Sequence, residues 1–160
     1  MVAPLHVHLP DEAATRALGA RLAAVLRPGM SMHLCGDLGS GKTTLARGFI
    51  QALGFAGRVK SPSYTLVEPY EDSRLCLYHF DLFRFHDPEE WHDAGFRECF
   101  NARSICLVEW PERAAGLLPP ADVRVRLVAP PRGGRDATLD AETDRGRRCL
   151  TALAPLPRPA

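Results

Sequence analysis

The run Gly36-Asp37-Leu38-Gly39-Ser40-Gly41-Lys42-Thr43 has the spacing G-x-x-x-x-G-K-[ST]. Its glycines let the backbone turn tightly, so that successive N–H groups point inward at phosphate oxygens. A helix starting at Thr43 adds the positive end of its dipole. Lys42 supplies a mobile point charge for the β- and γ-phosphates, and the Thr43 hydroxyl is placed to coordinate magnesium. That chemistry is the binding of a nucleoside triphosphate with magnesium, and ATP is the expected nucleotide. Four such fixed positions coincide by chance on the order of once in two hundred chains of this length, so chance is a poor account of the motif.

Magnesium and an attacking water usually need a carboxylate at the end of a neighbouring strand. Two are available. Glu109 ends the apolar run Ile105-Cys106-Leu107-Val108, and Asp81 ends the alternating run that starts at Leu75. On pattern alone Glu109 fits better, because neighbours of the P-loop strand should be buried on both faces. Asp81 shares a strand face with His79, which points to a polar site face. For either acid the plain alternative is a surface carboxylate at a strand end. The hydroxyl-rich segment Ser61-Pro62-Ser63-Tyr64-Thr65 could sense a γ-phosphate as switch loops do, or be an ordinary turn.

These groups need elements to hold them. Asp11 to Arg27 reads as a helix, capped by Asp11 and stopped by Pro28-Gly29. Met30 to Cys35 is a short strand that leads into the glycine loop, and a helix follows over Thr43 to Leu53. Strand, loop and helix in this order are what a P-loop requires. Tyr64 to Tyr70 and Leu75 to Phe83 are expected to pair as a hairpin. Asp87-Pro88-Glu89-Glu90 is a helix start. Ser104 to Trp110 reads as a buried parallel strand and Val123 to Val128 as an alternating one. Pro130 to Arg135 reads as a loop, with a short strand and a helix after it. The expected fold is α/β: a single three-layer P-loop NTPase domain with a central, mostly parallel sheet, covering residues 1–153 and followed by a disordered tail, 154–160.

Composition sets limits on the rest. A chain of 160 residues favours one domain, and 46% hydrophobic with 24% charged residues is ordinarily globular. A net charge of +1 gives no global reason to bind nucleic acid or an anionic membrane. Five cysteines, odd in number and without a C-x-x-C pair, read as reduced thiols, so a cytoplasmic location is expected. No signal peptide is visible, and no apolar run approaches the ~20 residues needed to span a bilayer. Lysine occurs only at Lys42 and Lys60.

Four segments together resemble the bacterial TsaE (YjeE) family of ATPases, which serve the threonylcarbamoyladenosine modification of tRNA. They are His33 to Gly48 across the P-loop, Val59 to Glu68 containing Ser61-Pro62-Ser63-Tyr64-Thr65-Leu66, Tyr78 to Arg84 containing His79-Phe80-Asp81, and Leu107 to Pro111 containing Glu109-Trp110-Pro111. The resemblance covers roughly residues 5 to 140, nearly the whole expected domain. It implies that nucleotide is bound by Asp37, Leu38, Gly39, Ser40, Gly41, Lys42, Thr43 and Thr44, with Trp110 beside the site. It also implies magnesium on Thr43 and Glu109, catalytic roles for Lys42 and Asp81, and further nucleotide contacts near Leu9 to Thr15 and at Gly134-Arg135. The implied partners are the TsaB and TsaD proteins, with tRNA reached through their complex and no membrane involved. Three positions depart from the family pattern: Ser40 for alanine, Ser63 for threonine and Phe83 for tyrosine. Only the last loses a hydroxyl.

Other features weigh less. Arginines crowd the last third of the chain, at Arg124, Arg126, Arg132, Arg135, Arg145, Arg147 and Arg148; they could touch tRNA or an acidic partner surface, and a solvated face is the favoured reading. Cys76, His79, His86, His92 and Cys99 fit no standard zinc spacing. Trp91 and Phe96 read as packing residues. A small-molecule P-loop kinase would use the same Lys42 and Thr43 but needs an acceptor site and an arginine lid. A GTP-binding switch would normally carry N-K-x-D, which does not occur here.

Overall fold

Every residue of the strand Ser104–Glu109 is buried, as its uninterrupted apolar run requires of a strand covered on both faces. This is β5 of the computed structural model, which describes residues 3–55, 59, 62 and 64–153. The other strands are β1 (Leu5–Leu9), β2 (Ser31–Cys35), β3 (Val67–Glu71), β4 (Cys76–Asp81), β6 (Val123–Val128) and β7 (Arg135–Asp140). The α-helices are α1 (Glu12–Val25), α2 (Lys42–Ala52), α3 (Pro88–Asp93) and α4 (Asp144–Leu153).

One sheet contains all seven strands in the order β1-β7-β6-β2-β5-β4-β3. Its centre, β6-β2-β5-β4, is parallel. Antiparallel pairs close both sides: β3 on β4, and β7 with β1 beside β6. The P-loop strand β2 therefore lies between β5 and β6, and like β5 it is buried throughout. By contrast, β6 alternates buried with exposed positions, which matches its Val-Arg-Val-Arg pattern.

The main core lies between one sheet face and α1, α2 and α4, with Met32, Leu34, Leu45, Phe49, Leu107 and Val125 at its centre. On the opposite face α3 and a 3₁₀ turn, Phe96–Cys99, cover β4 and β5 through Phe80, Trp91, Phe96 and Val108. These make three layers, of which the third is short. Over β6 and β7 that face carries Arg124, Arg126, Asp136 and Thr138, none of them buried.

Local chemistry accounts for the helix starts. Asp11 caps α1 by accepting from the Ala14 N–H at 2.8 Å, and Asp87 caps α3 by accepting from the Glu89 N–H at 3.0 Å, with Pro88 at the first helical position. Several boundaries differ from the sequence expectation. Tyr64 to Leu66 form a turn, and β3 begins at Val67. β4 is shorter than Leu75 to Phe83, because the chain turns where the Phe83 N–H is bonded to the Asp81 carboxylate. β7 begins at Arg135, inside the expected loop. β1 was not expected from the sequence at all. The segments expected at Lys60, Ser61, Ser63 and 154–160 lie outside the described residues. Among the described residues, no helix is long and apolar enough to cross a membrane.

Candidate nucleotide-binding site

The loop between β2 and α2 lies at the C-terminal end of the parallel strands, where open α/β sheets place their ligands. Two glycines make its shape possible. Gly36 has φ +146°, and a Cβ there would meet the Leu127 carbonyl oxygen at 2.6 Å. Gly41, directly before α2, has φ +104°, which an L side chain rarely adopts. Arg135 braces the loop from β7. Its Nε donates to the Ser40 carbonyl at 3.0 Å and its Nη2 to the Gly39 carbonyl at 2.8 Å.

A cleft of about 650 Å³ opens over this loop. Leu38, Gly39, Ser40, Gly41, Lys42, Thr43 and Thr44 line its floor. Asp81, Glu109 and Trp110 stand on one side, and Leu9 to Glu12 with Thr15, Gly134 and Arg135 on the other. The fold thus gathers segments from both ends of the chain onto the P-loop. Asp37 is the exception among the expected residues: it lines a separate cavity, although its carbonyl accepts from Lys42 at 2.9 Å.

Lys42 is 5% exposed. Its ammonium donates to the Gly36 carbonyl and, at 2.9 Å, to the Asp37 carbonyl. It also sits 4.1 Å from the centre of the Trp110 ring, a cation–π contact. Burial pulls its pKa below the ordinary lysine value, while the Glu109 and Asp81 carboxylates oppose that shift.

Neither acid is a surface carboxylate: Asp81 is 5% exposed and Glu109 2%. They stand side by side at the ends of β4 and β5, in register with each other. Both belong to the face that meets α2, since Asp81 alternates with Phe80 as Glu109 does with Val108. The Thr43 hydroxyl donates to the Glu109 carboxylate, with its oxygens at 3.0 and 3.3 Å. Asp81 accepts from the Phe83 N–H at 3.0 Å, and the Asp81 N–H is bonded to the Leu66 carbonyl at 2.9 Å. Leu66, in the left-handed region at φ +67°, thereby ties the segment after Ser61-Pro62-Ser63 to the end of β4.

Two features escaped the sequence reading. Trp110 does not extend β5. It adopts φ +59°, a conformation that costs of order 1–3 kcal/mol for a non-glycine residue, and this turns its ring toward Lys42 and Phe83. The sequence gives no sign of the partner of His79, whose Nε2 lies 2.6 Å from Glu109 Oε2. Alternation on β4 was the one available signal for His79 itself.

The donor set suits magnesium. Two buried carboxylates and a hydroxyl converge beside a single lysine, all of them hard oxygen donors. Among the described residues no group of three or more His, Cys, Asp or Glu is arranged to hold a metal. A nucleotide magnesium site needs no such cage, because substrate phosphates and water complete the octahedron.

Fold and cleft together define a P-loop α/β protein. The family model described as "Threonylcarbamoyl adenosine biosynthesis protein TsaE" matches residues 9–137. The chain is 42% identical over 152 residues to the tRNA threonylcarbamoyladenosine biosynthesis protein TsaE of Haemophilus influenzae, covering 92% of this chain and 96% of that protein. It is 37% identical over 136 residues to the Bacillus subtilis protein of the same name, covering 85% and 84%. The crystal structure of Bacillus subtilis YdiB superposes with a TM-score of 0.80 at 30% identity, covering 96% of each chain. This chain belongs to the TsaE family.

Proposed function

We propose that the chain binds ATP with magnesium in the P-loop cleft and hydrolyses it in support of tRNA threonylcarbamoyladenosine biosynthesis, acting with a TsaB–TsaD complex in the cytoplasm. The convergence of Lys42, Thr43, Asp81 and Glu109 on one loop carries this reading. The names of the relatives, and five cysteines that are all free, support the biological setting.

Each residue has a task in this reading. The loop N–H groups from Gly39 to Thr43 and the start of α2 hold the phosphates. Lys42 exchanges its carbonyl partners for phosphate oxygens and so neutralises charge as the terminal bond lengthens. Thr43 and Glu109 hold the magnesium, which draws charge from the phosphate oxygens when bound. Asp81 orients the attacking water and takes its proton. Trp110 keeps the Lys42 ammonium over its ring and shields that side of the cleft from solvent. A slow ATPase that accelerates on a partner is the expected behaviour, and tRNA is met through the complex.

The test is ATP hydrolysis by the purified chain, alone and with a cognate TsaB–TsaD complex. Stimulation by the complex, lost in Asp81→Asn while nucleotide binding persists, is the expected result. Hydrolysis indifferent to the complex would remove the assigned partners. Transfer of the γ-phosphate to a metabolite instead of water would make the chain a kinase.

A further inference from the structure

We infer that His79 is a positioning residue that sets the Glu109 carboxylate for magnesium, and this rests on the Mg-nucleotide reading of the cleft. The His79 side chain is fully buried, that of Glu109 is 2% exposed, and the two atoms that meet are 2.6 Å apart. A carboxylate offers only lone pairs to such a contact, so the hydrogen between them belongs to Nε2. Glu109 is therefore held from two directions, by His79 on Oε2 and by the Thr43 hydroxyl, nearest to Oε1 at 3.0 Å.

The sheet register makes this pairing possible. His79 is opposite Leu107 on the parallel neighbour, and Asp81 is opposite Glu109. His79 is thus the diagonal neighbour of Glu109, one pleat back along the same face, within reach of a long planar side chain.

Packing alone gives no reason for an imidazole here. On that face Leu77 and Leu107, both fully buried, flank it and a leucine would extend their core, while Asp81 follows on β4 and the half-buried Glu68 lies opposite on β3. The imidazole instead leaves its Nδ1 buried without a hydrogen-bond partner among the described residues. Such a group costs free energy unless its other contact offsets the loss. That other contact is Glu109. Without it the carboxylate would keep one hydroxyl partner beside the Asp81 side chain, free to rotate away from the cleft. Outer partners of this kind commonly change metal affinity about 10–100-fold when removed.

The experiment measures magnesium dependence apart from turnover. A fluorescent ATP analogue is titrated into the full-length protein in EDTA, and magnesium is then titrated into the complex. His79→Leu removes the donor, His79→Asn keeps an amide too short to reach Glu109, and His79→Gln restores an N–H near the position of Nε2. The inference expects wild-type affinity in EDTA for all three. It expects the magnesium midpoint to rise about 10–100-fold in His79→Leu and His79→Asn, and to return to within a few-fold of wild type in His79→Gln. In a Glu109→Gln background, His79→Leu should change the midpoint no further. A midpoint within twofold of wild type in His79→Asn, equal impairment of His79→Gln, or additive effects with Glu109→Gln would each overturn the inference. If His79→Leu fails to fold, His79→Asn and His79→Gln still decide the matter. Failure of the wild-type protein to bind the analogue would instead strike the reading of the cleft, and the role of His79 with it.

Discussion

Replacing Gly48 by alanine should destabilise the protein and loosen the cleft together. An ideal Cβ at Gly48 would lie 2.2 Å from the Arg16 carbonyl oxygen and 2.8 Å from the Arg16 Cα, and one at Gly19 would lie 2.2 Å from the Leu45 carbonyl oxygen. Helices α1 and α2 therefore touch backbone to backbone, each through a glycine of its own. A carbon–oxygen contact needs about 3.3 Å, so the helices would have to part by roughly 1 Å. No side chain can rotate to relieve the contact, which places the cost toward the upper end of the ~1–3 kcal/mol typical of overpacking. Alanine recovers about 1 kcal/mol over glycine in helix propensity. The net loss is about 2 kcal/mol, or roughly 4–8 °C in melting temperature for a chain of this size. Function should follow, because α2 begins at Lys42 while Glu12 and Thr15 of α1 line the opposite side of the cleft. The assay pairs thermal unfolding with nucleotide titration, and Gln51→Ala, at an exposed position of α2, serves as the propensity control. A Gly48→Ala protein that melts at or above the wild-type temperature would refute the close approach.

Two further outcomes can be checked directly. Lys42→Ala removes the one cation buried in the loop and should weaken nucleotide binding about 10–100-fold, the range of a charge-assisted hydrogen bond; calorimetric titration would show it, and unchanged affinity would contradict the assignment. His33, 7% exposed on β2, has its pKa lowered from 6.5 to about 4, first by burial and then by the Arg124 charge, with Asp122 opposing. The unfolded chain therefore binds a proton that the folded chain refuses between about pH 6.5 and 4. Stability from this group is full above that window and falls by up to about 3 kcal/mol on acidification through it. Denaturant unfolding of His33→Leu should lose less stability between pH 7 and 4.5 than wild type; equal loss would mean that His33 does not supply the difference.

How far the sequence reached depends on whether the deciding contact was local. The glycine loop, its flanking β2 and α2, the Asp11 and Asp87 caps and the buried β5 are each set by neighbouring residues, and they were legible. The strand β1 was not. Its Leu-His-Val-His-Leu run alternates, but it becomes a strand by pairing antiparallel with β7, from Leu5 opposite Leu139 to Leu9 opposite Arg135. A partner at the far end of the chain leaves no local signal. Arg135, named as a site residue only through the family resemblance, is held by the Gly39 and Ser40 carbonyls of the P-loop as well as by the neighbouring Gly134 carbonyl, and the two loop contacts leave no trace in the residues around it.

The two acids show where this limit matters for chemistry. Sequence pattern set Glu109 against Asp81 as rivals, each at the end of its own strand. The strand order removes the rivalry, because β4 lies directly beside β5 and brings both carboxylates to one level of the sheet. Both line the cleft, but Glu109 is held by the loop hydroxyl of Thr43 and by His79, whereas the Asp81 carboxylate accepts the Phe83 N–H from the turn after β4. Carboxylates with different partners can serve different tasks, and the proposed division is magnesium binding for Glu109 and water activation for Asp81. Spacing along a chain cannot distinguish them, since the difference lies entirely in which neighbour each strand received.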